Sequence, residues 1–263
     1  MPRVAVNGTT LYFEEHGDGE PLLCISGLGR NHTTWNSFIP PFTARRRCIV
    51  FDNRGTGRSE VPAGQYTIEQ MADDAAGLLD ALDVASADCI GVSLGGSVLQ
   101  ALAYRHPTKV RRAVLISSFP NYTALQHAWL DAGIALRQAG VDPKTTFISS
   151  MPWVFTSRLL TNHVEAEKFV ERSLEDPNPT SIDGFLAQAD AIRCFDSRER
   201  LCEITAESLI LVGAEDILTP IEQSVEMAEL IPASHLVVLP RGGHGLVAEY
   251  MDDVTRAVRR WLC

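Results

Sequence analysis

Ser93 lies at the centre of Gly91-x-Ser93-x-Gly95, between an apolar run, Ala87 to Val92, and a run of helical character, Leu94 to Arg105. Glycines two residues either side of a serine suit a sharp turn in which only hydrogen fits against the crossing backbone. Such a turn forces Ser93 into a strained conformation with its Oγ projecting outward, as a nucleophile would be. A serine hydroxyl is a weak nucleophile at neutral pH. It needs a base for its proton, a group that orients the base, and donors for the oxyanion. In parallel sheets these groups collect at the carboxyl ends of strands. Two such ends follow Ser93. After the apolar run Ser208 to Val212 comes Gly213-Ala214-Glu215-Asp216-Ile217-Leu218-Thr219-Pro220, which offers Glu215 and Asp216 as acids. After His235 to Leu239 comes Pro240-Arg241-Gly242-Gly243-His244-Gly245, where flanking glycines let the His244 ring reach a crowded site.

The elements that must hold these residues alternate. Val4 to Val6 and Thr10 to Glu14 read as a hairpin around Asn7-Gly8, and Pro21 to Ile25 and Cys48 to Asp52 as buried strands. Thr33 to Ala44 has helical character, broken by Pro40-Pro41. Thr67 with Gln70 resembles a capping box that opens a helix running to about Leu82, and Val110 to Ser117 supplies the next strand. Repeated strand–helix alternation implies an α/β fold with a mostly parallel sheet covered on both faces. From Asn121 to about Ile192 the pattern is helical only, with helices expected over Ala124 to Ala139, His163 to Leu174 and Ile182 to Ile192. The expected organisation is an α/β core (1–120), a helical cap inserted after the sixth strand (121–195), and the remainder of the core (196–263), which carries a helix over Ile221 to Leu230 and another over Met251 to Leu262.

The order serine, acid, histidine is that of the α/β-hydrolase arrangement. With Ser26-Gly27-Leu28-Gly29, the run Asp52 to Ser59, the Ser93 turn, Gly213 through Pro220 and Gly243-His244, the chain resembles the compact, cap-bearing α/β-hydrolases. That group includes 3-oxoadipate enol-lactonases, esterases and C–C bond hydrolases. The resemblance covers essentially the whole core and implies Asp216, not Glu215, as the acid. It also implies the backbone N–H groups of Leu28 and Leu94 as the oxyanion hole, the latter at a helix N-terminus whose dipole favours negative charge. Many relatives carry His-Gly where this chain has Ser26-Gly27, so the loop is expected to be anchored differently. In relatives the loop containing Asp52 and Arg54 braces the core, and those residues are read as structural. The expected reaction is acyl transfer from a small carboxylic ester or lactone through an acyl-Ser93 enzyme. C–C bond hydrolysis or perhydrolysis by the same triad, or a ligand-binding receptor on the same fold, are the alternatives.

Composition limits the remaining possibilities. The 263 residues are 45% hydrophobic and 21% charged, as expected of a soluble enzyme, and carry a net charge of −10, which disfavours nucleic acid or an anionic membrane as partner. No Cys-x-x-Cys pair and no His/Asp cluster of ligand spacing is present, so neither a metal nor another cofactor is expected. Gly91 to Gly96 lacks the lysine of a nucleotide-binding loop. Cys24, Cys48 and Cys89 sit in apolar runs as small hydrophobes. With no signal peptide and no membrane-spanning run expected, the chain is read as cytoplasmic.

Specificity is assigned to the cap. Met151, Trp153 and Phe155 are candidates for an apolar substrate pocket, with His32 beside the oxyanion loop. Arg137, Arg158 and Arg193 are candidates for meeting a substrate carboxylate.

Overall fold

A computed structural model describes residues 2–262; Met1 and Cys263 lie outside the described residues. The chain opens with a hairpin, β1 (Arg3–Val6) and β2 (Thr9–His16), followed by β3 (Glu20–Ile25) and β4 (Arg46–Phe51). Next come α1 (Ile68–Ala81), β5 (Ala87–Val92), α2 (Leu94–Arg105) and β6 (Val110–Ile116). Five helices separate β6 from the next strand: α3 (Ala124–Gln138), α4 (Pro143–Val154), α5 (Ser157–Thr161), α6 (His163–Leu174) and α7 (Ile182–Arg193). The chain then returns to the sheet with β7 (Glu207–Gly213), α8 (Ile221–Leu230), β8 (Ser234–Leu239), α9 (Leu246–Glu249) and α10 (Met251–Leu262).

The eight strands form one sheet in the order β1-β2-β4-β3-β5-β6-β7-β8. Contacts of β2 with β1 and β4 are antiparallel, and every pairing from β4 to β8 is parallel. Central strands of such a sheet are buried on both faces, which is why β3, β5 and β7 read as apolar runs rather than alternating ones. One face packs α1, α2 and α8 through Met71, Leu78, Leu99 and Met227. The other packs α9 and α10 with Trp35, Phe38 and Phe42. Trp35 and Phe38 are fully buried, each worth about 3 kcal/mol of apolar burial.

Two expectations are corrected. Thr33 to Ala44 does not form a helix: only a short 3₁₀ turn, His32–Trp35, is regular, and the apolar residues are delivered by successive turns through Phe42. Pro40 has no N–H to continue a helical ladder, and Pro41 disfavours the helical conformation of the residue before it. Conversely α4, which is not among the helices expected of the cap, forms across Pro143 and Pro152. Pro143 occupies the first helical turn, where its N–H would have no partner, and Pro152 falls in the last turn.

The ends of the inserted helices meet at the sheet, where Asn121 bridges Asp196 and Ser197 N–H donates to Pro120 O at 2.9 Å. At the opposite edge the fully buried Asp88 carboxylate accepts from Arg46, Arg111 and Arg112. Burial alone would raise its pKa, but hydrogen bonds and charge from Arg111 and Arg112 hold it below the ordinary carboxylate range. Arg46 and Arg112 also donate to the Leu262 carbonyl, so the C-terminal end of α10 is capped by the sheet's own cations. Buried Cys24, Cys48 and Cys89 are free, and burial pushes the Cys48 thiol up to about 11, away from reactivity.

Candidate active site

The turn at Ser93 is built by close approach. A Cβ on Gly91 would stand 2.3 Å from Gly95 O, and one on Gly95 would stand 2.1 Å from Ile25 O. No side chain is tolerated at either position, so β5 passes into α2 within a single residue. That residue is Ser93, at φ 55°, ψ −121°, a region that non-glycine residues occupy only when the surroundings force it. The forcing contacts are visible. Ser93 N–H donates to Ile116 O at 3.0 Å, and Ser93 O accepts from Ser118 Oγ at 3.1 Å.

His244 Nε2 lies 3.0 Å from Ser93 Oγ, and His244 Nδ1 lies 3.2 Å from Asp216 Oδ2. The three residues come from loops after β5, β7 and β8, at the carboxyl edge of the sheet. The Asp216 side chain is fully buried, and that of His244 is 11% exposed. Asp216 Oδ1 accepts the N–H groups of Leu218 (3.0 Å) and Thr219 (2.8 Å), and Oδ2 accepts Thr219 Oγ1 at 2.7 Å. Burial pushes its carboxyl up, but His244 and the Thr219 hydrogen bonds outweigh that and hold it below the usual range. An ionised Asp216 can only accept, which places the proton of neutral His244 on Nδ1 and leaves Nε2 to accept from Ser93. The competing acid, Glu215, is exposed and approaches the Gly242 N–H at 3.4 Å.

The loop after β3 passes beside Ser93. A Cβ on Gly27 would lie 3.5 Å from Ser93 Cβ. No acceptor among the described residues takes the N–H of Leu28 or of Leu94, the first residue of α2. Ser26 anchors this loop by its hydroxyl, which donates to Asn31 O (3.0 Å) and accepts from Trp35 Nε1 (2.9 Å). The cap holds the loop from above: Gln188 Oε1 accepts Gly29 N–H at 3.0 Å, and Thr180 Oγ1 donates to Gly29 O at 3.0 Å.

Three of the residues expected at the substrate pocket are engaged by the protein itself. His32 is buried behind the loop, its Nδ1 2.7 Å from Asp52 Oδ1 and its Nε2 3.4 Å from Glu14, so the ring braces the loop instead of facing a ligand. Met151 packs inside the cap with Phe155 and Val170. Phe155 is committed to Phe169, at 4.7 Å between ring centroids, and to the backbone of Gly245, where a Cβ would meet its ring at 2.4 Å. Trp153 is half-buried and belongs to no apolar cluster among the described residues. Asp52 accepts from His32 and Arg58 N–H, and Arg54 forms a two-pronged pair with buried Asp74 at 2.6 and 2.7 Å. Sequence reasoning missed Thr219, which a Thr-Pro turn conceals, and the attachment of the cap to the His244 loop. A hollow of about 820 Å³ bounded by Glu14, His16, Asn36 and Thr43 contains none of Ser93, Asp216 or His244. The chemistry, rather than the size of a cavity, locates the site.

The sequence profile of the α/β-hydrolase fold matches residues 20–249. The chain belongs to the α/β-hydrolase fold family. It is 31% identical to the 2-hydroxymuconate semialdehyde hydrolase of Pseudomonas sp. strain CF600, over 92% of this chain and 87% of that one. Among solved structures it superposes on the enol-lactonase of Burkholderia xenovorans LB400 with a TM-score of 0.87 and 27% identity, covering 99% of each chain. It superposes on a thermophilic esterase of Thermogutta terrifontis with a TM-score of 0.85 and 30% identity, covering 100% of this chain and 98% of that one. No helix of this hydrolase-family protein, among the described residues, is long and apolar enough to cross a membrane.

Proposed function

We propose that the protein is a serine hydrolase of small carboxylic esters or lactones, with Ser93 as nucleophile, His244 as general base and Asp216 as its orienting acid. The observation that carries this reading is the line of contacts Ser93 Oγ–His244–Asp216, at 3.0 and 3.2 Å, reached from a strained serine. His244 Nε2 takes the Ser93 proton as Oγ attacks the carbonyl carbon. The N–H groups of Leu28 and Leu94 hold the resulting oxyanion, each worth about 3 kcal/mol in such sites. Ionised Asp216 stabilises the imidazolium, which protonates the leaving alkoxide. Water, deprotonated by His244, then releases the acid from Ser93 and restores the site. A small-molecule substrate suffices, and no cofactor enters the scheme.

Likeness to a 2-hydroxymuconate semialdehyde hydrolase favours, as a second reading, hydrolysis of a C–C bond in a vinylogous 1,5-diketone by the same residues. Rates on a panel of p-nitrophenyl esters, lactones and one such diketone separate the two. Turnover of esters or lactones with the diketone untouched supports the first reading. Exclusive turnover of the diketone replaces it with the second.

A further inference from the structure

Gln188 lies on α7 with its side chain fully buried, and both ends of its amide are engaged. Its Oε1 accepts the Gly29 N–H at 3.0 Å, and its Nε2 donates to Arg54 O at 3.0 Å. One partner can only donate and the other only accept, so the amide has a single orientation. It joins the loop after β3, which passes beside Ser93, to the loop after β4. That second loop is a firm anchor. The Arg54 guanidinium is paired with buried Asp74, and Gly55 N–H donates to Glu60 O at 2.9 Å.

The height at which Gln188 arrives is set one helical turn earlier, on the same face of α7. There Gly184 rests backbone to backbone on Gly55: a Cβ on Gly184 would stand 1.9 Å from Gly55 O. A larger residue at that contact would lift α7 away from Gly29.

The other end of the amide meets a tight turn. Arg30 N–H donates to Gly27 O at 3.1 Å, and Gly29, the third residue of the turn, sits at φ +64°. A positive φ at the third residue and not the second marks a type II turn, whose central peptide faces the opposite way from that of a type I turn. The central peptide is Leu28–Gly29, and its N–H is the one Gln188 takes. The next peptide is held as well, since Gly29 O accepts from Thr180 Oγ1 at 3.0 Å. Asn31 Nδ2 donates to Asp176 Oδ2 at 2.6 Å and to Asn178 O at 3.1 Å. All these partners of Gly29 and Asn31 belong to the cap, between Asp176 and Gln188. The core holds the loop on either side of the turn, at Ser26 through Trp35 and at His32 through Asp52.

We propose that Gln188, with Thr180, positions the oxyanion hole: by tying Gly29 to Arg54 O it keeps the turn in the form that leaves the Leu28 N–H free beside Ser93, so that the cap, and not the core alone, completes the site. The proposal rests on the serine-hydrolase reading. Gln188 is a positioning residue that acts through Leu28. Without it the Leu28–Gly29 peptide can turn over and carry Leu28 with it.

Gln188→Met keeps the length of the side chain and removes both hydrogen bonds. On p-nitrophenyl acetate the expected result is a kcat lower by about tenfold to a hundredfold, approaching the loss of a whole oxyanion donor, with KM changed less than about twofold. Affinity for phenylboronic acid falls by the same factor, because its adduct on Ser93 Oγ is tetrahedral and sets an oxygen in the hole. Amide hydrogen exchange over residues 26–31 is faster than in the wild type. Thr180→Val, at a half-buried position, shows the same pattern at smaller size and carries the test should Gln188→Met fail to fold. A loss of packing alone would not single out kcat and the tetrahedral adduct. Unchanged kcat in both folded variants, a rise confined to KM, or a fall in kcat with boronate affinity intact overturns the proposal. A wild type that neither turns over esters nor takes a fluorophosphonate at Ser93 contradicts the hydrolase reading itself, whereas an active wild type with variants of unchanged kcat contradicts this proposal alone.

Discussion

The carbonyl of Val154, the last residue of α4, accepts a 2.7 Å hydrogen bond from the N–H of Gly245, the residue after His244. The cap is therefore hydrogen-bonded to the loop that carries the proposed base. Thr156 extends the attachment: its N–H and Oγ1 donate to the two carboxylate oxygens of Glu249, at 2.9 and 2.6 Å. Glycine is required at 245 because a Cβ would meet the Phe155 ring at 2.4 Å, and that ring is held by Phe169. Gly245→Ala is expected to lose roughly 1–3 kcal/mol of stability through overpacking and to lower kcat with the displaced imidazole. Chemical denaturation and steady-state rates on one ester check both effects. An unchanged kcat would show that the loop tolerates the shift.

Glu249→Ala leaves the Thr156 N–H and hydroxyl without their acceptor while adding no bulk near Phe155. Loss of two hydrogen bonds to a charged group is worth about 2–3 kcal/mol in a partly buried setting. The expected consequence is a lower midpoint of thermal unfolding with a fall in kcat larger than the rise in KM, because the cap segment at Thr156 and the His244 loop loosen together. Differential scanning calorimetry beside rate measurements distinguishes this from a purely local loss.

Thr219 Oγ1 lies 2.7 Å from Asp216 Oδ2 and 3.0 Å from His244 Nδ1. Having given its hydrogen to the carboxylate, the hydroxyl can accept from Nδ1–H and holds the ring between two acceptors. Thr219→Val preserves shape and removes both contacts. It is expected to cut kcat roughly tenfold, corresponding to about 1.4 kcal/mol, with KM little changed. A proportional rise in KM would place the hydroxyl in substrate binding instead.

His32 supplies a pH-dependent element of stability. Burial lowers its pKa, but the hydrogen bond and charge of Asp52, with Glu14, outweigh burial and the opposing charge of Arg58 and raise it above the ordinary 6.5. A folded-state value above the unfolded one means the stabilisation is complete below about pH 6.5 and is lost as pH rises through the raised value. Urea unfolding of wild type and His32→Gln from about pH 5.5 to about pH 9, a range chosen to bracket that change, should show the largest advantage of wild type at the acid end. A gap that widens with pH contradicts the assignment.

The sequence disclosed the Ser93 turn because its glycines are dictated by contacts within a few residues, Gly91 against Gly95 and Gly95 against Ile25. His244 was legible for a related reason, since it follows an apolar run long enough to be a strand; the run before Gly213 placed Glu215 and Asp216 alike, and the choice of Asp216 came from the family resemblance. The helices α6, α8 and α10 begin and end where their periodicity does. Thr219, Glu249 and Val154 gave no such signal, since their roles depend on what a distant loop brings beside them. Met151 and Phe155 were apolar residues of the right kind, but only packing decides whether an apolar cap residue faces its own helices or a substrate. The same holds for Arg137, indistinguishable in sequence from Arg193 until α3 and α7 bring an acid to one and an aromatic ring to the other.

The central claim is that Ser93 is the nucleophile. Labelling with a fluorophosphonate and mapping the adduct by mass spectrometry tests it most directly, with folded Ser93→Ala as the comparison. The account predicts a single adduct on the peptide carrying Ser93, none in the variant, and a loss of ester hydrolysis of at least about a thousandfold. An adduct on another residue, or wild-type hydrolysis by the folded variant, would contradict it.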